Sequence, residues 1–183
     1  KPSPRLQINP LPRQNPSPSP RPALRARIEL RGFRKHFAPM TRIEFHYNTS
    51  ERLLYTCRLL RKARGQDSRI AVVGAPATLK QLDTELWRFQ DVSFLAHCTT
   101  QDPPEVQRAS PVALGPDPHA WAIDDVLLNL GDEVPEGFER FARLIEIVAN
   151  DDHGRAQARV RWKHYQNLGY QLQRHDLSKA AET

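Results

Sequence analysis

The pattern of apolar and polar residues predicts a series of short strands after residue 40. Apolar residues alternate with polar ones over 43–47, which is the period of a strand with one buried face. The continuous apolar run at 70–73 is typical of a strand buried on both faces, so parallel pairing is the simplest topology. The stretch 126–130, apolar except for Asn129, predicts another buried strand. A further run at 144–148 predicts the last strand, and a shorter strand is predicted at 94–95.

Apolar residues recur at helical spacing in the intervals between these strands. The first predicted helix follows the capping residues 48–50 and ends at Gly65, and the second covers about 79–87. The last covers 151–168 and begins with two aspartates, which favour a helix N-terminus. A short helical piece begins at Phe138. Alternating strands and helices predict a three-layer α/β sandwich around a mostly parallel sheet.

The segment 99–123 is predicted to be a long loop. It carries five prolines, which interrupt both helices and central strands. Its one brief apolar run, at 112–114, predicts a short strand within the loop.

The first 39 residues differ in composition from the rest of the chain. They hold nine of the 16 prolines and nine basic residues against one acid, whereas residues 40–183 carry 18 basic and 20 acidic residues. The formal charge of +6 therefore comes from this segment. The pI of about 9.7 belongs to the whole chain and does not apply to residues 40–183, which are slightly acidic. Because such a segment cannot bury enough apolar surface to offset its ordering entropy, residues 1–39 are predicted to be disordered and 40–183 to form the α/β domain.

Three origins of residues 1–39 remain open at this point. Their lack of acids suits a targeting peptide, but the prolines break the amphipathic helix that such a peptide needs. Met40, the single methionine, stands where the proline-rich composition ends, which fits a translation start there with read-through sequence before it. A genuine basic interaction tail is the third interpretation. Sequencing the N-terminus of the protein separates these origins.

Composition and motifs argue against several classes of protein. Two cysteines cannot form a disulfide framework, and no run approaches the roughly 18 apolar residues of a membrane span. Residues 74–80 lie between a strand and a helix but lack the repeated glycines of a phosphate-binding loop. The histidines and cysteines have no metal-ligand spacing, and no nucleophile elbow is present. The sequence therefore predicts no catalytic residue, no metal site and no cofactor.

One face of the last predicted helix has an unusual composition. At about 100° per residue, Arg155, Arg159, Trp162 and Lys163 fall within about 100° of one another. A tryptophan that faces a core normally shares its face of the helix with apolar residues, and here it shares that face with three cations. Either the indole lies beneath basic side chains on a solvated face, or the four residues form a pocket for a peptide that carries an apolar side chain and acidic groups.

Four phrases stand in order along the chain: Leu-Asp-Thr-Glu-Leu-Trp at 82–87, Ser-Phe-Leu-Ala-His at 93–97, Ala-Arg-Val-Arg-Trp-Lys-His-Tyr at 158–165, and Gly-Tyr-Gln-Leu at 169–172. Together they resemble the chi subunit family of the bacterial DNA polymerase III holoenzyme. The likeness covers nearly all of the chain from Met40 onward, and the residues before it have no counterpart in the family.

The resemblance implies a non-catalytic adaptor with a Rossmann-like α/β fold that lacks a nucleotide site. Chi proteins pair with the psi subunit, which tethers them to the clamp loader. They also bind the acidic C-terminal tail of single-stranded DNA-binding protein, which ends in a sequence like Asp-Asp-Ile-Pro-Phe. Carried over by position, the tail site falls on Arg155, Arg159, Trp162 and Lys163, with Trp162 in place of a tyrosine. A cytoplasmic protein that reaches DNA only through partners, and contacts no membrane, is implied.

The psi-facing surface is carried over to Trp87 and Phe94, and each of these aromatic residues is equally compatible with a place in the core. Two other functions remain as alternatives. One is a nucleic-acid-binding protein that uses the basic residues 1–39 and has no polymerase partner, although the net charge of −2 on 40–183 disfavours DNA binding by the domain itself. The other is a degenerate nucleotide-binding enzyme, against which the missing phosphate loop argues.

Overall fold

The computed structural model describes residues 40–64, 68–88 and 95–178. Within these residues the chain forms seven strands: β1 (Arg42–Tyr47), β2 (Ile70–Val73), β3 (His97–Thr99), β4 (Val112–Leu114), β5 (Val126–Asn129), β6 (Arg143–Ile147) and β7 (Leu172–Asp176). They form one sheet in the order β3-β4-β2-β5-β6-β1-β7, and every neighbouring pair is parallel.

Four α-helices connect the strands: α1 (Arg52–Arg64), α2 (Pro76–Arg88), α3 (Pro104–Ala109) and α4 (Asp152–Asn167). Short 3₁₀ turns occupy Pro118–Ala120 and Phe138–Arg140. Within the described ranges, every helix falls short of the length and apolar content that crossing a bilayer demands.

The helices cover both faces of the sheet. One core cluster joins α1 and α2 to the sheet, with Cys57, Leu60 and Leu82 fully buried. The other joins α4 to the opposite face, where Tyr165 packs with Phe45. The predicted three-layer α/β sandwich with a mostly parallel sheet is therefore confirmed. The disorder predicted for residues 1–39 concerns a segment outside the described residues.

Strands in the middle of the sheet follow directly from their sequence. All four residues of β2 and all four of β5 are buried, as expected where helices cover both faces of a parallel sheet. The prediction that β1 has one buried face is wrong, because Glu44 and His46 are buried beneath α1.

Three elements differ from the pattern-based prediction. The strand expected at 94–95 is β3, which begins at His97, three residues after the predicted start, and Phe94 lies outside the described residues. Within the predicted loop, α3 starts at Pro104, because proline is well tolerated in the first turn of a helix. The edge strand β7 was not predicted, since three of its five residues are exposed and its pattern is polar. The predicted helix end at Gly65 also falls outside the described residues.

Candidate peptide-binding groove

A groove opens at the carboxyl edge of the sheet, beside α4. Loops at the carboxyl ends of parallel strands leave a crevice, which is where α/β folds commonly place ligand sites. The groove has a volume of about 450 Å3. The residues that line it come from β1, the loop after β6, α4 and β7, and they are Phe45, Tyr47, Asn48, Val148, Ala149, Asn150, Arg155, Ala158, Arg159, Trp162 and Arg174.

The first turn of α4 is fixed against the loop that follows β6. Asp151 caps the helix, since its side chain accepts a hydrogen bond of 2.8 Å from the backbone N–H of Gly154. This bond lowers the pKa of Asp151 below its usual range. A side chain at position 154 would meet the loop, because a Cβ there would lie 2.6 Å from the Cβ of Ala149. The helix therefore starts directly against the wall of the groove.

The buried side of α4, next to the groove-lining side, is held by a polar network around Glu146, a residue of β6. Arg161 donates from Nε to the Glu146 carboxylate at 2.9 Å, and the Tyr165 hydroxyl donates to it at 2.7 Å. Asn129 donates from Nδ2 to both carboxylate oxygens, at 3.2 and 3.1 Å. Burial raises the pKa of Glu146, while these donors and the Arg161 charge act in the other direction. Since Arg161 points into the core, Trp162 is turned toward the groove.

The indole of Trp162 forms an apolar wall of the groove. It is half-buried and packs edge-on against Phe45, with 5.0 Å between the ring centroids. The guanidinium carbon of Arg174 lies 5.8 Å from the centre of the indole ring, within cation–π range. An aromatic surface that is packed on one side and open on the other suits an apolar side chain of a ligand.

Three arginines surround this apolar surface. Arg155 donates a hydrogen bond of 2.6 Å to the side-chain oxygen of Asn150, which holds its guanidinium at the rim. Arg159 and Arg174 are exposed and line the same groove from α4 and β7. The end of β7 is tied to β1, because Asn48 donates to the Asp176 carboxylate at 2.9 Å. Guanidinium groups around an apolar wall favour a ligand that combines carboxylates with an aromatic or aliphatic side chain.

The four residues singled out on the helical wheel are not all in one place. Arg155, Arg159 and Trp162 line the groove, whereas Lys163 is exposed on α4 and is not among the lining residues. Arg174 is a lining residue that the sequence analysis missed, because β7 itself was not predicted. The available signal was alternation, since Leu172 packs against the core while its neighbours are polar.

Trp87 lies on a different part of the surface, in the last turn of α2. Its side chain is 63% exposed, so it is not a core residue. The indole packs edge-on against the buried His97 ring at 5.2 Å, and His97 in turn contacts the Asp83 carboxylate at 3.1 Å. Phe94, the second residue carried over for this surface, lies outside the described residues.

A second cavity, of about 580 Å3, lies at the carboxyl edge between β2 and β5, the region where many α/β proteins bind nucleotides. Its charged lining is acidic, from Asp117, Asp132, Glu133 and Glu136. Carboxylates repel phosphate, so this cavity is poorly suited to a nucleotide.

Comparison with known proteins points to the same family as the four sequence phrases. The family model described as "DNA polymerase III chi subunit, HolC" matches residues 40–173. The protein named DNA polymerase III subunit chi from Pseudomonas aeruginosa is 33% identical over 145 residues, which covers 76% of this chain and 99% of that protein. The match begins at Met40 and includes β1, α4 and the start of β7. This chain belongs to the DNA polymerase III chi subunit family.

Proposed function

We propose that this chain is a non-catalytic accessory subunit of the DNA polymerase III holoenzyme in the cytoplasm, and that it links the clamp loader to single-stranded DNA-binding protein. In this role the psi subunit holds it on the clamp loader, and the groove beside α4 holds the acidic C-terminal tail of single-stranded DNA-binding protein. The chain then reaches DNA only through its partners.

The composition of the groove supports this proposal most directly. A tail that ends in acidic residues followed by an aromatic residue needs an apolar wall next to cations. Trp162 supplies the wall, and Arg155, Arg159 and Arg174 supply the cations around it. The carboxyl-edge cavity with acidic lining offers no comparable surface for an acidic peptide.

We expect the terminal aromatic residue of the tail to pack beside Trp162. Its α-carboxylate then meets Arg159 or Lys163, and the preceding aspartates run along Arg155. Exposed ion pairs contribute little by themselves, but contacts next to an aromatic anchor that excludes water are stronger. Binding is therefore expected to fall as salt screens the charges, and to depend strongly on the indole.

The psi-binding surface is assigned to Trp87 and the region of Phe94. The exposed indole of Trp87 supports this assignment, because an exposed tryptophan is a common anchor of protein interfaces. This surface is built by α2 and the groove by α4, which lie on opposite faces of the sheet. One subunit can therefore hold both partners at once.

Binding of the chain to immobilised full-length single-stranded DNA-binding protein tests the bridging role. The proposal predicts binding to the intact protein and loss of binding when its acidic C-terminal tail is removed. Equal binding to both forms would contradict the groove as the contact site. Binding that instead requires residues 1–39 and responds to DNA alone would favour the alternative of a basic-tailed nucleic-acid-binding protein.

A further inference from the structure

Three potential metal ligands meet on the face of the sheet opposite the groove. Alternation along β1 turns Glu44 and His46 toward α1 when Phe45 faces α4. Alternation along β7 does the same for His175, whose neighbour Arg174 faces the groove. The two strands pair in register, with His46 opposite His175. Since these histidines are far apart in sequence, their spacing gave no sign of a shared site.

The three potential ligand atoms lie close to one another. His46 Nε2 lies 3.5 Å and His175 Nε2 lies 3.4 Å from the same oxygen, Oε2 of Glu44. All three ligand atoms lie within 4.8 Å of one another. In a tetrahedral zinc site with bonds of about 2.0–2.1 Å, neighbouring ligand atoms are about 3.4 Å apart. The two separations, 3.5 and 3.4 Å, agree with this expected distance to within about 0.1 Å.

Neighbouring side chains orient the ligands. The Tyr55 hydroxyl lies 2.6 Å from His46 Nδ1, so Nδ1 can donate to it and leave Nε2 free as a ligand. Arg143 donates to the Glu44 carboxylate at 2.5 Å. Glu44 and His46 are buried, and their positions are fixed before any ion arrives.

We propose that Glu44, His46 and His175 form a site for a divalent transition-metal ion of the zinc class. Two imidazoles and one carboxylate are a common protein ligand set for zinc with an open fourth position. The three residues line a cavity of about 460 Å3, which leaves space for water or for a donor from a partner.

Positive charge around the cavity limits the affinity of this site. Arg58 and Lys62 line the same cavity, and Arg143 contacts the carboxylate ligand itself. Each of these cations repels a divalent ion, so binding is weaker than in a site with the same ligands and a neutral surround. Removing an exposed cation that contacts none of the ligands should therefore tighten binding.

Titration of the untagged full-length protein with Co2+ tests the proposal, because tetrahedral Co2+ absorbs strongly in the visible and reports its ligand geometry. The wild type should bind one Co2+ with a tetrahedral spectrum, and Zn2+, which prefers the same tetrahedral geometry, should compete with it for the site. His175→Gln removes the half-exposed ligand with little risk to folding and should weaken binding at least tenfold. Both cysteines are buried, so thiolate bands are not expected.

Matched variants complete the test. His153→Gln removes an exposed histidine outside the cluster and should leave the titration unchanged. Arg58→Gln should increase Co2+ affinity severalfold. Absence of tetrahedral Co2+ in the wild type, or unchanged affinity in His175→Gln, would overturn the proposal and leave the three residues as a charge network around Glu44.

Discussion

Trp162 meets Phe45 edge-on, with 5.0 Å between the ring centroids and an angle of 61° between the planes. The contact anchors a residue of α4 to the first strand of the sheet. The indole therefore packs against the core on one side and lines the groove on the other, which favours the pocket over a wholly solvated face. Aromatic pairs of this kind contribute about 0.5–1.5 kcal/mol beyond the burial of their area.

Arg174 should strengthen tail binding although it stands outside α4. Its guanidinium lies beside the Trp162 ring and lines the groove, so Arg174→Gln removes one cation without changing the shape of the wall. We expect a loss of about 0.5–1 kcal/mol of tail-binding free energy and a weaker dependence on salt. Isothermal titration with the tail peptide at two salt concentrations measures both. Gln173→Ala, the neighbouring position on the other face of β7, is the control and should bind as the wild type does.

The network around Glu146 should contribute to the free energy of unfolding. Tyr165→Phe removes the hydroxyl that donates to the buried carboxylate at 2.7 Å and leaves one acceptor without its donor. Such a loss costs about 1–3 kcal/mol, which urea denaturation can resolve. Tyr170→Phe removes a hydroxyl outside this network and should cost less. Equal stability of Tyr165→Phe and the wild type would show that the network does not hold α4.

The Asp151 cap predicts a pH dependence of stability. Because the hydrogen bond from Gly154 lowers the pKa of Asp151 in the folded state, the ionised form stabilises the fold. This contribution is fully present above the usual aspartate pKa and is lost as the pH falls through the lowered folded value. Asp151→Asn keeps a capping oxygen but does not titrate. The difference in unfolding free energy between the wild type and Asp151→Asn should therefore shrink as the pH falls below about 4. A pH-independent difference would contradict the cap as its source.

Trp87 should affect one partner and not the other. Trp87→Ala removes an exposed indole at the end of α2, so psi binding should weaken while tail-peptide affinity stays at the wild-type value. Gln81→Ala, at an exposed position of the same helix, is the control. Size-exclusion chromatography with psi and a peptide titration measure the two activities separately. Unchanged psi binding would move the psi-facing surface away from α2.

The central strands of the sheet could be predicted because their apolar composition indicates burial on both faces. Val72 and Leu128 lie in continuous apolar runs that only a sheet covered on both faces accommodates. The start of α4 was predictable for a local reason, since Asp151 caps a backbone N–H three residues away. Arg155, Arg159 and Trp162 line one groove, and they could be chosen from the sequence because residues on one face of a helix recur at a regular spacing.

The remaining features depend on contacts between distant parts of the chain. β7 forms only by pairing with β1, and its exposed polar residues carry no local strand signal, so Arg174 could not be assigned to the groove. Arg161 looks like one more surface cation in the sequence, but it is buried because Glu146 lies opposite it. His46 is buried for a comparable reason, since Tyr55 and Glu44 supply its polar contacts.

The most direct test of the account is fluorescence anisotropy with a labelled peptide that ends in Asp-Asp-Ile-Pro-Phe. We expect the wild type to bind it in a salt-sensitive manner, and Trp162→Ala to lose about 2 kcal/mol of binding free energy. Trp162→Phe should retain most of the affinity, and Arg108→Gln, an exposed arginine of α3, should match the wild type. Affinity that is unchanged in a folded Trp162→Ala variant would contradict the groove beside α4 as the tail-binding site.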